Sequence, residues 1–254
     1  MKIIRMRVGA RRVLTPHITE FTLVPVEKPE GEGKLPAFTP GAHVTVETPS
    51  GAMRRYSLVN DGTAPCHYKI AVKREPGSRG GSVSMHDDAT EGSVLNVEAP
   101  ENDFQLADAP RYLLIAGGIG ITPIYAMASH LKREGKDFHI VYVSRSASEA
   151  AYLEDLTQAF GERVLAHHDE GDPDRIYDFW DFFAQPQDLY VYCCGPKPLM
   201  DEIKAISGHW PEGRVNFEDF KPVEVVRAGD EPFEVELRKS GTTLTVPVDR
   251  SILE

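Results

Sequence analysis

The chain has 254 residues, which is long enough for two domains with buried cores, and its formal net charge is −11. No basic run gives the electrostatic footprint of a nucleic-acid-binding protein, and the sequence shows no secretory signal or apolar stretch of transmembrane length. Three cysteines, two of them adjacent, do not indicate a disulfide framework. These features predict a cytoplasmic monomer that binds neither nucleic acid nor membrane.

The pattern of apolar residues changes twice along the chain. From 1 to 107 they mostly alternate between clusters of Gly, Pro and Asp, which predicts an antiparallel β-barrel with one short helix. From 108 to 220, short apolar strands alternate with helical segments, which predicts a parallel sheet covered on both faces. Residues 221–231 are expected to form a linker. Residues 232–254 are expected to form a hairpin, turning at Ser240-Gly241, and the start of a helix.

The first candidate site is RRYSLVN, residues 54–60, at the end of a predicted barrel strand. Arginine offers a planar fork of donors suited to phosphate, tyrosine an aromatic face, and serine a hydroxyl that can bond a ring heteroatom. This composition fits a phosphorylated aromatic cofactor, and it also fits an ordinary edge strand with a solvated basic pair.

Downstream in the same predicted barrel, SRGGSVSMH (78–86) places a glycine pair and serines at a likely helix start. Free N–H groups at such a start attract phosphate, and the serines add hydroxyls. A flexible surface turn is the alternative. The position after the arginine segment favours the phosphate interpretation.

Two glycine-containing turns follow strands of the second domain. LLIAGGIGITP (113–123) and YVYCCGPKPLM (190–200) each predict a strand, a tight turn and a helix. Because the carboxyl ends of parallel strands form the ligand-binding crevice of open α/β sheets, Cys194 is expected to face the same crevice as Gly117 and Gly118. Ligand-free turns remain the alternative, and Cys193 is expected to be a buried structural thiol.

The segment FEDF (217–220) ends the last predicted strand. Its final phenylalanine, Phe220, could cover a flavin ring, with Glu218 in the polar network; two core phenylalanines beside a solvated acidic pair would look the same. The neighbouring His167 and His168 point to opposite faces of a strand, so no metal site is expected.

The order of these motifs resembles that of the ferredoxin–NADP reductase superfamily: R-x-Y-S in a barrel, then GGxGxTP, a CGP turn and a terminal E-x-F. The strings AVKREPGSRGGSVS, HHDEGDP, YCCGPKPLMD and GHWPEG narrow the resemblance to the phthalate dioxygenase reductase family, over essentially the whole chain.

The resemblance implies FMN, rather than FAD, in the barrel. The residues that it implies as flavin contacts are Arg55, Tyr56, Ser57, Ala71, Val72, Lys73, Gly81, Ser82, Ser84, Thr122 and Phe220. The residues that it implies as nicotinamide-nucleotide contacts are Gly117, Gly118 and Cys194 at the nicotinamide, and Arg145 and Ser146 near the adenine ribose. An Arg-Ser pair leaves room for a 2′-phosphate, but the resemblance favours NADH.

The resemblance further implies an oxidoreductase that takes hydride from NADH onto FMN. Single electrons would then pass through a [2Fe–2S] domain to a Rieske-type aromatic-ring oxygenase or demethylase. Ser57 is expected to hydrogen-bond near flavin N5 and Cys194 to border the nicotinamide. Phe220 is expected either to occupy the position where the nicotinamide stacks or to move out of it, and no side chain is expected to act as an obligatory acid or base for the hydride step. Arg55 would anchor the phosphate, so that Arg55→Ala releases FMN.

Two other functions fit the same motifs. One is a non-catalytic module that senses flavin or NADH, and the other is a stand-alone NAD(P)H flavin or ferric reductase. The residues after 231 argue against the second, because a two-stranded hairpin is at best marginally stable alone. They are expected to begin a plant-type [2Fe–2S] ferredoxin domain, so that the given chain would be a truncated or cleaved form lacking the cluster.

Overall fold

The computed structural model describes residues 3–27, 34–77, 80–220, 231–237 and 241–247. Residues up to Asp219 form one compact unit, and those from Phe220 onward form a second. Most of the predicted linker, Ser240 of the predicted turn and the predicted start of a helix near the end of the chain lie outside the described residues.

The first six strands form one antiparallel sheet. They are β1 (Ile3–Thr15), β2 (Ile18–Pro25), β3 (His43–Glu47), β4 (Met53–Ser57), β5 (Tyr68–Lys73) and β6 (Val94–Glu98), in the spatial order β4-β3-β6-β1-β2-β5. The end strands meet at an isolated bridge between Leu58 and Ile70, supported by a hydrogen bond from the Val59 N–H to the Lys69 carbonyl. The sheet therefore curls towards the predicted barrel, and its described ends are joined at this seam by a bridge rather than a full ladder.

Alternation along these strands builds one core. Side chains on one face of the sheet, among them Met6, Phe21, Val44 and Val97, are fully buried together. The helix α1 (Gly81–Asp87) follows β5, as predicted, and Met85 of this helix joins the same core.

The remaining elements up to Asp219 form a parallel sheet with helices. The strands are β7 (Arg111–Gly117), β8 (Asp137–Ser144), β9 (Val164–His168), β10 (Tyr190–Cys194) and β11 (Val215–Glu218), in the order β11-β10-β7-β8-β9. The helices are α2 (Ile121–Arg133), α3 (Leu153–Phe160), α4 (Trp180–Phe183) and α5 (Lys197–Ile206). A separate apolar core covers each face, which confirms the predicted parallel sheet.

The two sheets pack against each other within this unit. Ile18 and Ala71 of the antiparallel sheet belong to the same buried cluster as the α2 side of the parallel sheet. At its edge, the Tyr152 hydroxyl donates a hydrogen bond of 2.8 Å to the buried carboxylate of Glu20. Tyr152 has a φ of 61°, a left-handed conformation that disfavours a bulky residue, so this contact stabilises a strained backbone.

The second unit contains a hairpin. Strands β12 (Phe233–Leu237) and β13 (Thr242–Val246) pair antiparallel, with Phe233 opposite Val246. The hairpin agrees with the sequence pattern, and its assignment to a ferredoxin domain stays a prediction. None of the described helices has the length and apolarity needed to cross a bilayer.

Candidate functional site

The turns after β7 and β10 lie backbone to backbone at the carboxyl edge of the parallel sheet. A Cβ atom on Gly120 would lie 2.1 Å from the Cys194 carbonyl oxygen, and one on Gly117 would lie 2.6 Å from Pro196 Cδ. Only glycine allows this approach. Gly118 adopts a φ of 53°, and a Cβ atom built there would have no neighbour within 4 Å. The structure thus brings the predicted Gly117, Gly118 and Cys194 together, with open space at Gly118.

Cys194 is a buried neutral thiol at this edge. Burial, followed by the charge of Glu218, raises its pKa well above the ordinary value. The thiol donates a long hydrogen bond to Glu218, with 4.0 Å between Sγ and Oε2. Burial, followed by the charge of Asp103, raises the pKa of Glu218 to about 8. Because a thiol, rather than a thiolate, is a poor nucleophile, Cys194 is suited to contact a ligand and not to attack it.

Strands β3 and β4 carry a group of buried polar atoms without partners. Among the described residues, the buried side-chain polar atoms that lack a hydrogen-bond partner are His43 Nε2, Tyr56 Oη and Ser57 Oγ. All three belong to one ladder, in which His43 is opposite Ser57 and Val44 is opposite Tyr56. An unpartnered buried polar group is costly, and here His43 and Ser57 lie on one face of the ladder while Tyr56 lies on the other, so the end of β4 offers polar atoms on both faces that a ligand could satisfy.

The two adjacent arginines of β4 point in opposite directions. Arg54 shares a face with Tyr56, and a Cβ atom on Gly81, at the start of α1, would lie 3.0 Å from Arg54 Nε. Arg55 shares the other face with Ser57, is exposed, and pairs with Asp103 at 3.5 Å. The structure therefore brings Arg54, rather than the predicted phosphate anchor Arg55, to the helix start.

The serine hydroxyls that were predicted to bind phosphate at the start of α1 make hydrogen bonds within the chain. Ser84 Oγ donates to the Gly81 carbonyl at 3.0 Å and accepts from the Ser50 N–H at 3.2 Å. Ser82 Oγ accepts from the Glu75 N–H at 3.1 Å. These contacts connect the hairpin between β3 and β4, and the loop after β5, to the helix start near Arg54.

The other residues implied as flavin contacts differ in setting. Ala71 and Val72 are buried, whereas Lys73 is exposed and pairs with Glu75 at 2.6 Å. The buried Thr122 hydroxyl donates to the Ile119 carbonyl at 3.1 Å, just before α2. Phe220 belongs to the second unit, and the residue is 41% exposed.

Arg145 and Ser146 follow β8, two strands from Cys194 at the same edge of the parallel sheet. The Arg145 carbonyl accepts from the Glu170 N–H at 2.7 Å, which folds the next loop over it. His168 Nδ1 lies 2.8 Å from Ser144 Oγ, and His167 Nε2 donates to the Arg175 carbonyl at 2.6 Å. These histidines have separate structural partners, and the described part of the chain holds no cluster of three or more metal-ligating side chains.

An antiparallel sheet with unpartnered polar groups at its end, followed by a parallel sheet with a glycine-lined crevice, defines the ferredoxin–NADP reductase-like class. No protein-family model matches the chain. The phthalate dioxygenase reductase of Burkholderia cepacia is 41% identical over 255 residues, covering 99% of this chain and 78% of the relative.

The phthalate 4,5-dioxygenase oxygenase reductase subunit of Pseudomonas putida is 44% identical over 253 residues, covering 98% and 77% of the two chains. A solved phthalate dioxygenase reductase, described as a modular structure for electron transfer from pyridine nucleotides to [2Fe–2S], superposes with a TM-score of 0.82. The two sequences are 39% identical. The superposition covers 99% of this chain and 78% of the solved chain. The chain belongs to the phthalate dioxygenase reductase family.

Proposed function

We propose that this protein takes hydride from NADH onto a bound FMN and passes the electrons on singly to a Rieske-type oxygenase or demethylase. The observation that carries the proposal is the group of unpartnered polar atoms on His43, Tyr56 and Ser57. A flavin has polar atoms along a flat ring and a phosphate at the end of its side chain, so it can satisfy a polar strand end and a cationic helix start together.

The chain's own residues would hold the flavin in three ways. The Arg54 guanidinium, beside Gly81, is suited to the phosphate, and the Tyr56 ring to one face of the isoalloxazine. Ser57 is suited to a hydrogen bond near N5, because its buried hydroxyl has no other partner. When bound, FMN would supply the conversion of a two-electron hydride into single electrons, and the protein would supply alignment.

The crevice at Gly117, Gly118 and Cys194 is suited to the nicotinamide. Its neutral thiol and glycine backbone let a flat ring approach closely, because no side chain projects into the open space at Gly118. Arg145 and Ser146 are suited to the adenosine end. The named relatives support an oxygenase system as electron acceptor, and the description of the solved relative supports a [2Fe–2S] step.

Anaerobic reduction tests the proposal. Purified protein loaded with FMN is expected to lose its yellow colour on addition of NADH, and to regain it when ferricyanide is added. A bound flavin that NADH never bleaches would instead support the sensing module. Fast turnover of free FMN or of ferric chelates, without bound flavin, would support the stand-alone reductase, and a preference for NADPH would overturn the choice of nucleotide.

The partly buried carboxyl of Glu218 predicts a pH-dependent stability. Its pKa of about 8 in the fold lies above the ordinary value, so the folded chain keeps a proton that the unfolded chain has released. The resulting stability is fully present below about pH 4.5 and is lost as the pH rises towards 8. We expect Glu218→Gln to remove this loss and to raise the free energy of unfolding at pH 8 by about 3 kcal/mol.

Urea unfolding at pH 5, 6.5 and 8 measures this effect. The matched control is Glu212→Gln, because Glu212 is an exposed glutamate in the same region of the chain. If Glu218→Gln and the parent protein lose stability equally between pH 5 and pH 8, the statement that Glu218 stays protonated in the folded chain is refuted.

A further inference from the structure

Tyr142 is a buried tyrosine whose hydroxyl reaches the glycine turn of the crevice. It lies fully buried near the carboxyl end of β8, and its hydroxyl donates a hydrogen bond of 3.1 Å to the Gly118 carbonyl. Phe138 and Ile140 lie on the same face of β8, in the same buried cluster, and carry no polar group. Since a buried hydroxyl loses its hydration, phenylalanine would serve the packing at 142 equally well. What the hydroxyl adds is the contact with Gly118.

The Gly118 peptide has little else to hold it in place. The residue lies in the left-handed region, with a φ of 53°, and a Cβ atom built there would have no neighbour within 4 Å. Its carbonyl accepts from the Ile121 N–H, which belongs to the same turn, and from the Tyr142 hydroxyl, which belongs to the neighbouring strand. The tyrosine therefore ties this turn to the sheet.

The Tyr142 hydroxyl is in turn held by the connection between β8 and α3. Burial raises the pKa of this hydroxyl, and a hydrogen bond from the Ala151 N–H acts in the opposite direction. The oxygen thus accepts from Ala151 while its hydrogen goes to Gly118. Because both partners are backbone groups and the ring is fully buried, the hydroxyl sets the spacing between the turn and the connection.

The same connection is anchored to the antiparallel sheet. Tyr152, the residue after Ala151, donates at 2.8 Å to the buried carboxylate of Glu20, and Lys69 Nζ lies 3.4 Å from the other oxygen of that carboxylate. Ala151 and Tyr152 are both buried. The part of the connection that meets Tyr142 is therefore fixed, and it cannot move with the turn if the turn shifts.

We propose that Tyr142 is a positioning residue that acts through Gly118, holding the nicotinamide crevice at a fixed spacing from the connection that begins with Arg145 and Ser146. The proposal rests on the proposed function, in which those two residues take the adenosine end of the nucleotide. A dinucleotide that reaches both ends binds more tightly when the turn is already in place. A ligand that has only the adenosine end does not use the turn.

The test compares Tyr142→Phe with a matched control, Tyr192→Phe. Tyr192 is also a buried tyrosine of the parallel sheet, and its hydroxyl donates at 3.1 Å to the Gln105 carbonyl, outside the two turns of the crevice. The flavin-loaded protein is titrated with NAD⁺ and with ADP-ribose in a calorimeter, and neither ligand has a hydride to donate. Tyr142→Phe is expected to bind NAD⁺ about tenfold more weakly, and ADP-ribose within about twofold of the parent protein. Tyr192→Phe is expected to bind both ligands like the parent protein.

A second readout needs no ligand. The Ile121 N–H, which bonds to the Gly118 carbonyl, reports on opening of the turn. Hydrogen exchange followed by NMR is expected to show this amide exchanging about tenfold faster in Tyr142→Phe and at the parental rate in Tyr192→Phe. Each variant loses one buried hydrogen bond, so a difference at Ile121 reports on the turn rather than on global stability.

Equal losses of affinity for NAD⁺ and ADP-ribose in Tyr142→Phe would overturn the proposal, as would unchanged affinities for both. The same loss of NAD⁺ affinity in Tyr192→Phe, or a parental exchange rate at Ile121 in Tyr142→Phe, would also overturn it. A parent protein that binds neither NAD⁺ nor ADP-ribose would refute the proposed function, and with it this role of Tyr142.

Discussion

Gly120→Ala is expected to lower the free energy of unfolding by about 3 kcal/mol or more, the largest effect of a single methyl group in the crevice. The new Cβ would lie 2.1 Å from the Cys194 carbonyl oxygen, 2.4 Å from its carbonyl carbon and 2.8 Å from the Gly195 nitrogen. All three contacts are with backbone at the end of a central strand, so no side chain can move aside to relieve them. Thermal unfolding followed by circular dichroism measures the loss.

Gly208→Ala is the matched control. A Cβ atom at Gly208 would meet nothing closer than 3.8 Å, and this glycine is not in the left-handed region. We expect its free energy of unfolding to change by less than about 0.5 kcal/mol. If the two alanine variants unfold at the same temperature, the claim that the two turns leave no room for a Cβ atom at Gly120 is contradicted.

Arg54→Ala is expected to weaken FMN binding by about 100-fold, because a charge-assisted contact to phosphate contributes about 1.5–3 kcal/mol. Arg54 lies against the start of α1, and its NH1 group donates to the neighbouring Met53 carbonyl, at 2.7 Å. Arg55→Ala, which removes the same charge from the other face, is expected to change the affinity by less than about threefold. Quenching of FMN fluorescence on binding to the apoprotein gives both constants.

The comparison of these two variants decides between the arginines. The sequence motif alone led to the expectation that Arg55→Ala releases FMN. If Arg55→Ala loses bound FMN and Arg54→Ala does not, Arg54 does not bind the phosphate despite its position beside Gly81. Arg55 is then the residue that binds it.

The parallel sheet and its crevice could be predicted because their signals are local. Each strand, turn and helix start lies within about ten residues, and Gly117, Gly118 and Cys194 take their positions from strand ends alone. The antiparallel sheet was also predictable from alternation. To tell which of Arg54 and Arg55 faces the helix start, one must also know which residues of β4 point to each face. The sequence holds that information, since Arg54 is two residues before Tyr56 and must share its face.

Other parts of the site depend on contacts distant in the chain. His43 lies opposite Ser57 only because of the register between β3 and β4, and a lone histidine in an apolar strand gives no signal of that neighbour. The raised pKa of Glu218 depends on burial and on Asp103, a residue more than a hundred positions earlier. The hydroxyl of Ser84 looked free for a ligand, whereas the fold directs it to Gly81 and Ser50.

The burial of the adjacent cysteines has a consequence for oxidative damage. A reduced flavin in air generates hydrogen peroxide beside the side chains that hold it, and peroxide attacks exposed thiolates first. Cys193 and Cys194 are both buried, with pKa values raised by that burial, whereas Cys66 is exposed. The sulfur that borders the crevice is therefore less open to conversion to a sulfenic acid than the exposed sulfur of Cys66.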